Sequence, residues 1–246
     1  MTKVGRFDVM DNFEIARDVY CMTLLGDTSE IVRPGQFVNV AIPGFYLRRP
    51  FSVCSVRGEV LTLVYKVVGA GTAALAMSGE GGSLELLTGL GNGFDVSKGS
   101  GRPLLVGGGM GCVPLYGLAE ALLAEGREVR AIFGFKSAED MFLVGELTRL
   151  GAIVYAATED GSAGVHGFVT DAMAEAEFEY DYIYACGPEP MLRALYDYGD
   201  LPGQYSFEER MGCGFGACMG CTCETITGHK RICKEGPVLD RSEIKW

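Results

Sequence analysis

The chain has 246 residues, of which 48% are hydrophobic and 22% charged; that length and balance allow two ordinary domains plus a short appendage, and exclude a disordered chain. A net charge of -11 repels a phosphate backbone, so no nucleic-acid partner is expected. No apolar run approaches the roughly 18 residues of a membrane span, and the opening MTKVGRFDVMDNFEIARD lacks an apolar signal core, so the expected location is cytoplasmic.

Residues 1–97 read as short β-runs, Val19 to Leu25, Gln36 to Ile42, Phe51 to Val56 and Val60 to Val68, divided by turn signals such as Arg33-Pro34-Gly35-Gln36 and Arg57-Gly58. Their spacing predicts a small antiparallel barrel, with one short helix at Thr72 to Ser78. After the polar joint Ser97-Lys98-Gly99-Ser100-Gly101 the pattern changes to alternating strands and helices over 98–203. Strands are expected at Pro103 to Val106, Glu128 to Phe133, Ile153 to Ala157 and Tyr182 to Cys186, and helices at Val113 to Ala124, Glu139 to Leu150, Gly167 to Ala176 and Glu189 to Tyr198. Repeated βα units of this length imply a doubly wound parallel sheet. The remaining residues, 204–246, form a third module, because five of the nine cysteines crowd into it. Such an excess of thiols in a reducing compartment points to metal or redox chemistry.

Cys213-x4-Cys218-x2-Cys221-x11-Cys233 has the spacing of plant-type [2Fe-2S] clusters, and the glycines between the thiols leave amides free to face sulfur. Four Cys can also close a tetrahedral zinc site, although zinc modules usually show two C-x2-C pairs and only one is present. Cys223 is a surplus thiol that either packs as a small buried residue or replaces Cys221 as ligand.

In the barrel, Arg49, Pro50, Phe51 and Ser52 place a guanidinium, a ring and a hydroxyl at a strand start, a set suited to a pyrophosphate and a flavin. The competing reading is an exposed basic turn before a core strand. Gly69 to Ala73 opens the short helix with bare amides that suit an anion. Val106 to Pro114 is a Gly-rich turn from strand to helix, and Cys186-Gly187-Pro188 is a second Gly/Pro turn. Both fall at carboxyl ends of parallel strands, where open α/β sheets bind ligands. The first is not a G-x-G-x-x-G fingerprint, so a ligand-free tight turn is the alternative there.

RxxS in a barrel, GGGxGxxP at the first strand–helix turn and CGPxxM at the last strand occur in this order, and the set resembles ferredoxin–NADP reductase-like flavoproteins. The tail Glu208-Glu209-Arg210-Met211-Gly212-Cys213-Gly214-Phe215-Gly216-Ala217-Cys218-Met219-Gly220-Cys221 is similar to that of the electron-transfer subunits of NAD-dependent (type 1B) dihydroorotate dehydrogenases. The resemblance implies an FAD-binding barrel over 1–97, an NAD-binding α/β domain over 98–203 and a [2Fe-2S] module over 204–246. It implies FAD contacts at Arg49, Pro50, Phe51, Ser52, Val64, Tyr65, Lys66, Gly71 and Thr72. It places NAD against Gly109, Gly111, Cys186, Gly187 and Pro188, with the Cys186 thiol near the hydride path, and the cluster on Cys213, Cys218, Cys221 and Cys233. The family's usual tyrosine is Phe51 here, and Tyr205 or Phe207 is expected to cover the flavin.

The implied activity is electron transfer between NAD(H), FAD, the cluster and a separate FMN-containing dihydroorotate dehydrogenase catalytic subunit, in a heterotetramer with two of each; alone the chain would be a diaphorase. No side chain need act as acid or base, and His166 and His229 are expected at the surface. The alternatives are a same-fold reductase serving a ferredoxin- or sulfur-linked partner, and a zinc-stabilised nucleotide-binding regulatory module. Lys136 and Ser137 are candidates to meet a 2′-phosphate of NADP, and Glu139 or Asp140 a ribose hydroxyl of NAD. Phe215 and its neighbours are expected to face the partner.

Overall fold

The computed structural model describes residues 2–99, 101–177 and 179–246, so Ser100 of the polar joint lies outside the described residues. The first segment contains β1 (Lys3–Ala16), β2 (Val19–Leu25), β3 (Phe37–Ala41), β4 (Arg49–Arg57), β5 (Val60–Lys66), the helix α1 (Ala70–Ala76) and β6 (Ser83–Leu90). The strands close into an antiparallel barrel in the order β1-β2-β5-β4-β3-β6. Alternate side chains fill it, including Phe7, Val9, Met22, Leu24, Val38, Val40, Leu61, Leu63, Tyr65 and Leu86. β1 and β6 are additional to the expected runs. Only Phe7 and Val9 of the fourteen residues in β1 are buried, so its apolar signal is weak.

The second segment contains β7 (Pro103–Gly108), α2 (Cys112–Ala124), β8 (Arg130–Phe135), α3 (Val144–Arg149), β9 (Ile153–Thr158), β10 (Val165–His166), α4 (Val169–Glu175), β11 (Tyr182–Cys186), α5 (Glu189–Tyr198) and β12 (Gly203–Ser206). The tail adds β13 (Thr222–Thr225), β14 (Gly228–Arg231) and β15 (Val238–Asp240). A seven-stranded sheet runs β10-β9-β8-β7-β11-β12-β15, parallel throughout except for β15, which pairs antiparallel with β12. β7 is central and buried at every position, which explains its unbroken apolar reading. Leu105 points to the face covered by α2, while Leu104 and Val106 meet Val169, Ala172, Leu192 and Leu195 of α4 and α5 on the other.

The helix expected over 139–150 is shorter. Ala138–Asp140 makes a single 3-10 turn, and Leu143 adopts φ +62, so α3 starts only at Val144. Phe142 packs edge-on to Phe135 at 5.5 Å, which anchors the interruption in the core. The strand expected at Glu128 to Phe133 is displaced to Arg130–Phe135.

Each flanking module joins a different face of the sheet. Val19, Cys54 and Val64 of the barrel share the apolar cluster of α2, and the carbonyl of Cys54 lies 2.6 Å from where a Cβ on Gly117 would stand. Phe37, Leu87 and Leu90 on the outer barrel wall share the other cluster with Cys221, Ile232 and Cys233 of the tail. β3 is therefore buried on both faces, one towards the barrel interior and one towards the tail. The expected junction between residues 203 and 204 falls within β12.

Candidate functional site

A cleft of about 360 Å³ opens where the barrel meets the carboxyl ends of β7, β11 and β12. Its barrel wall is Arg49, Pro50, Phe51 and Ser52 of β4, Val64, Tyr65 and Lys66 of β5, and Thr72 of α1. The opposite wall brings Met110, Val113, Cys186 and the stretch from Ser206 to Glu209. Gly71 lies behind this wall: a Cβ there would sit 3.2 Å from Arg49 Nε, so the missing side chain lets the guanidinium lie against α1. The amides expected to be bare at this helix are partly engaged, because Thr72 Oγ1 accepts from Val68 N at 2.9 Å and from Gly69 N at 3.2 Å.

Tyr65 stacks on Tyr20 at 5.8 Å and packs against Phe51 at 5.5 Å, and its hydroxyl donates to Asn12 Oδ1 at 2.9 Å. Burial pushes this phenol up to about 12, so it stays neutral. Burial likewise raises the Cys186 thiol, which remains protonated and does not serve as a base. Phe207 lines the cleft, whereas Tyr205 is fully buried in the core beneath the sheet and does not. Tyr205 lies inside β12, which ends at Ser206, whereas Phe207 follows just past the carboxyl end of the strand, where the cleft opens.

A second cleft, of about 460 Å³, lies beyond the ends of β7, β8 and β9. Gly108, Gly109, Phe135, Lys136, Glu159, Phe168, Pro188 and Met191 line it. Gly111 and Gly187 are not on its wall; a Cβ on Gly111 would collide with the Cys186 carbonyl, so these glycines let two turns pack together. Ser137, Glu139 and Asp140 turn elsewhere. Arg17 of the barrel donates to Asp140 at 2.6 Å and Glu139 at 2.9 Å, and Lys66 approaches Asp140 at 3.4 Å. Glu139 and Asp140 thus clamp the two domains rather than face this cleft. Glu159 was not among the expected residues, although it directly follows a parallel strand, where such a ligand-facing carboxylate belongs.

In the tail the thiols come as two pairs, Cys213 with Cys218 and Cys221 with Cys233. Cys213 Sγ accepts from the amides of Ala217 at 3.2 Å and Cys218 at 3.4 Å, and Cys221 Sγ accepts from Cys233 N at 3.4 Å. Burial opposes ionisation of Cys213, but these and neighbouring donors outweigh it and bring its pKa to about 6. Gly214 at φ +77 and Gly216 at φ +90 give the loop its turns. Arg231 donates to the Gly216 carbonyl at 2.7 Å and is held by Glu235 at 2.8 Å. Among the described residues no three His, Cys, Asp or Glu side chains converge on one point; the four thiols have the sequence spacing of a two-iron cluster and carry amide donors on sulfur. Cys223 lines a separate cavity with Glu208, Glu209 and Trp246, and His166 and His229 are exposed.

A barrel, a doubly wound sheet and a four-thiol module meeting in this way define an iron–sulfur oxidoreductase of the ferredoxin–NADP reductase fold. Residues 208–245 match the iron-sulfur cluster binding domain of dihydroorotate dehydrogenase B, and residues 105–197 match the oxidoreductase NAD-binding domain. The chain is 40% identical to the electron transfer subunit of dihydroorotate dehydrogenase B (NAD(+)) of Geobacillus sp. (strain WCH70), across 99% of both chains. It is 39% identical to the Shouchella clausii (strain KSM-K16) subunit across 98% of both. Among solved structures it is similar to one of an NADH-dependent reduced ferredoxin-NADP oxidoreductase, with TM-score 0.88 and 29% identity over 98% of this chain and 90% of that one. It also resembles Amycolatopsis cytochrome P450 reductase, with TM-score 0.70 and 26% identity over 80% and 65%. The chain belongs to the family of electron transfer subunits of NAD-dependent dihydroorotate dehydrogenase B.

Proposed function

We propose that this chain relays electrons between NAD(H) and an FMN-containing dihydroorotate dehydrogenase catalytic subunit, through FAD on the barrel and a [2Fe-2S] cluster on the tail, in an assembly of two copies of each subunit. The observation that supports it best is the convergence of all three modules on one cleft: β4 and β5 from the barrel, Cys186 from the sheet, and Ser206 to Glu209 from the start of the tail. When bound, a flavin takes or gives a hydride and exchanges single electrons with an iron–sulfur centre, which is the chemistry a relay from NAD(H) requires.

The protein's part is to bind, orient and exclude water. Arg49 presents its guanidinium beside Gly71, where it can fork onto a pyrophosphate, and Ser52, Tyr65 and Lys66 line the same wall. Gly109 and Pro188 frame the nucleotide cleft, and Gly111 and Gly187 bring the Cys186 turn against it. The protonated Cys186 thiol contributes a small, uncharged surface to the flavin cleft, two residues before Pro188 of the nucleotide cleft. Glu159 fits a ribose diol better than a 2′-phosphate, in keeping with NAD. Cys213, Cys218, Cys221 and Cys233 hold the cluster. Nine free cysteines and no disulfide among the described residues suit a reducing compartment such as the cytoplasm; no helix in the described residues is long and apolar enough to cross a membrane.

An anaerobic visible spectrum of the native complex, taken before and after dihydroorotate is added, tests this reading. Bleaching of both flavin and cluster bands is expected. Bleaching by NADH alone would assign the chain to a different partner, and a colourless, iron-free sample would overturn the redox reading.

A further inference from the structure

The outer wall of the barrel that receives the tail is apolar, with Phe37, Leu87 and Leu90 packed in one cluster with Cys221, Ile232 and Cys233. One side chain breaks this pattern. Asn39, between Val38 and Val40 on β3, is 1% exposed. A buried amide on such a wall costs free energy that an apolar residue would not, unless it makes a bond that matters. Its Nδ2 donates to the carbonyl of Cys213 at 3.2 Å, across 174 residues of sequence, and its Oδ1 is buried without a partner. Gly214, the next residue of the loop, lies directly over it: a Cβ on Gly214 would collide with Asn39 Nδ2. On the other side, Asn39 pairs in register with Pro50, which lines the cleft between barrel and sheet.

We infer that Asn39 is a positioning residue that seats the Cys213–Gly214 end of the cluster loop on the barrel wall and so fixes the spacing between the flavin cleft and the cluster. The inference rests on the assignment of Cys213 as a cluster ligand. A single strand pair then links the two redox sites, with Pro50 facing one and Asn39 holding the other. Because electron tunnelling weakens steeply with distance, a loop free to lift from the wall would slow transfer even with both groups bound. Asn39 acts through the loop and touches no reacting atom.

The test compares wild type, Asn39→Ala, Gly214→Ala and the double variant as full-length protein in the native complex. The readouts are the iron-to-FAD ratio, the electron paramagnetic resonance spectrum of the reduced cluster and the cluster reduction potential. A wild type with iron and a cluster spectrum separates the underlying assignment from the inference itself. Each single variant is expected to keep FAD while the cluster spectrum and potential shift. The double variant is expected to be less perturbed than the two effects summed, since removing the amide relieves the clash with the new methyl, while the backbone strain of an Ala at φ +77 is common to both Gly214 variants. Wild-type spectrum and potential in Asn39→Ala, or strict additivity in the double variant, would overturn the inference. If Asn39→Ala does not retain FAD, Asn39→Ser, which keeps a small polar group on the strand, is judged by the same criteria.

Discussion

Cys221 and Cys223 differ by two positions and have different surroundings. Cys221 is 2% exposed and accepts the amide of Cys233 on its sulfur, whereas Cys223 sits on β13 opposite Lys230 and lines a cavity with Glu209 and Trp246. Burial and the nearby Glu209 carboxylate raise the Cys223 thiol, and burial raises that of Cys233 as well, so placement rather than ionisation separates the thiols: Cys221 pairs with Cys233, whereas Cys223 faces the cavity. Cys221→Ser is therefore expected to abolish the cluster absorbance and paramagnetic signal, while Cys223→Ser leaves both; the reverse pair of spectra would reassign the ligand. The four-thiol spacing was legible in the sequence because it lies within 21 consecutive residues, where local covalent reach sets the pattern. Asn39 and Asp140 were not legible as partners of Cys213 and Arg17. Their bonds span 174 and 123 residues, and no local pattern encodes a contact made only after three modules dock.

The two Gly-bearing turns after β7 and β11 act as a unit. Gly111 has an ordinary helical φ of -64, so backbone freedom does not explain it; the nearby carbonyl of Cys186 does. Gly111→Ala must push the β7 and β11 turns apart, at a cost of about 1–3 kcal/mol typical of overpacking. The nucleotide cleft shares both turns, so the KM for NADH should rise while the cluster spectrum and FAD content stay near wild type. Unchanged NADH kinetics and thermal stability would show that the turns can relax. Most core strands of the sheet and α2, α4 and α5 follow directly from apolar period and turn residues. The exceptions have physical causes. β1 contributes only two buried side chains, and α3 loses its first turns to Leu143 at φ +62 and to Arg17, which draws the 138–140 turn towards the barrel. A sequence window sees the helical period over 139–150 but not the arginine that competes for it.

The modules hold together through contacts whose strength depends on charge and on surface left for a partner. Burial alone would raise the Asp140 carboxyl, but Ser137, Arg17 and Lys66 together hold it below the usual carboxylate range. A depressed acid stabilises the native state above its unfolded pKa, about 3.9, and that stability is lost as pH falls through the lower native value. Arg17 is half exposed, so screening trims the pair and Asp140→Asn should cost about 1–2 kcal/mol at pH 7. Thermal melts of the two proteins should differ by about 2–4 °C per kcal/mol at pH 7 and converge only as pH falls through the depressed native value of Asp140, below the usual carboxylate range; a gap that persists at still lower pH would assign the role to packing instead. In the tail, Phe215 and Met219 are 49% and 54% exposed on the loop that carries Cys213 and Cys218, and Cys218 is itself exposed. An exposed aromatic and a methionine flanking a cluster thiol form an apolar rim that a docking subunit would cover. Phe215→Glu places a charge at the centre of that rim, which at a binding hot spot costs about 2 kcal/mol or more, roughly thirtyfold in affinity. Since the ring is half exposed, the isolated chain should keep its cluster spectrum and diaphorase activity. Size-exclusion chromatography of the mixed subunits should then show the complex lost for Phe215→Glu and kept for wild type. A variant that still co-elutes with the catalytic subunit would move the interface to another face, away from the cluster.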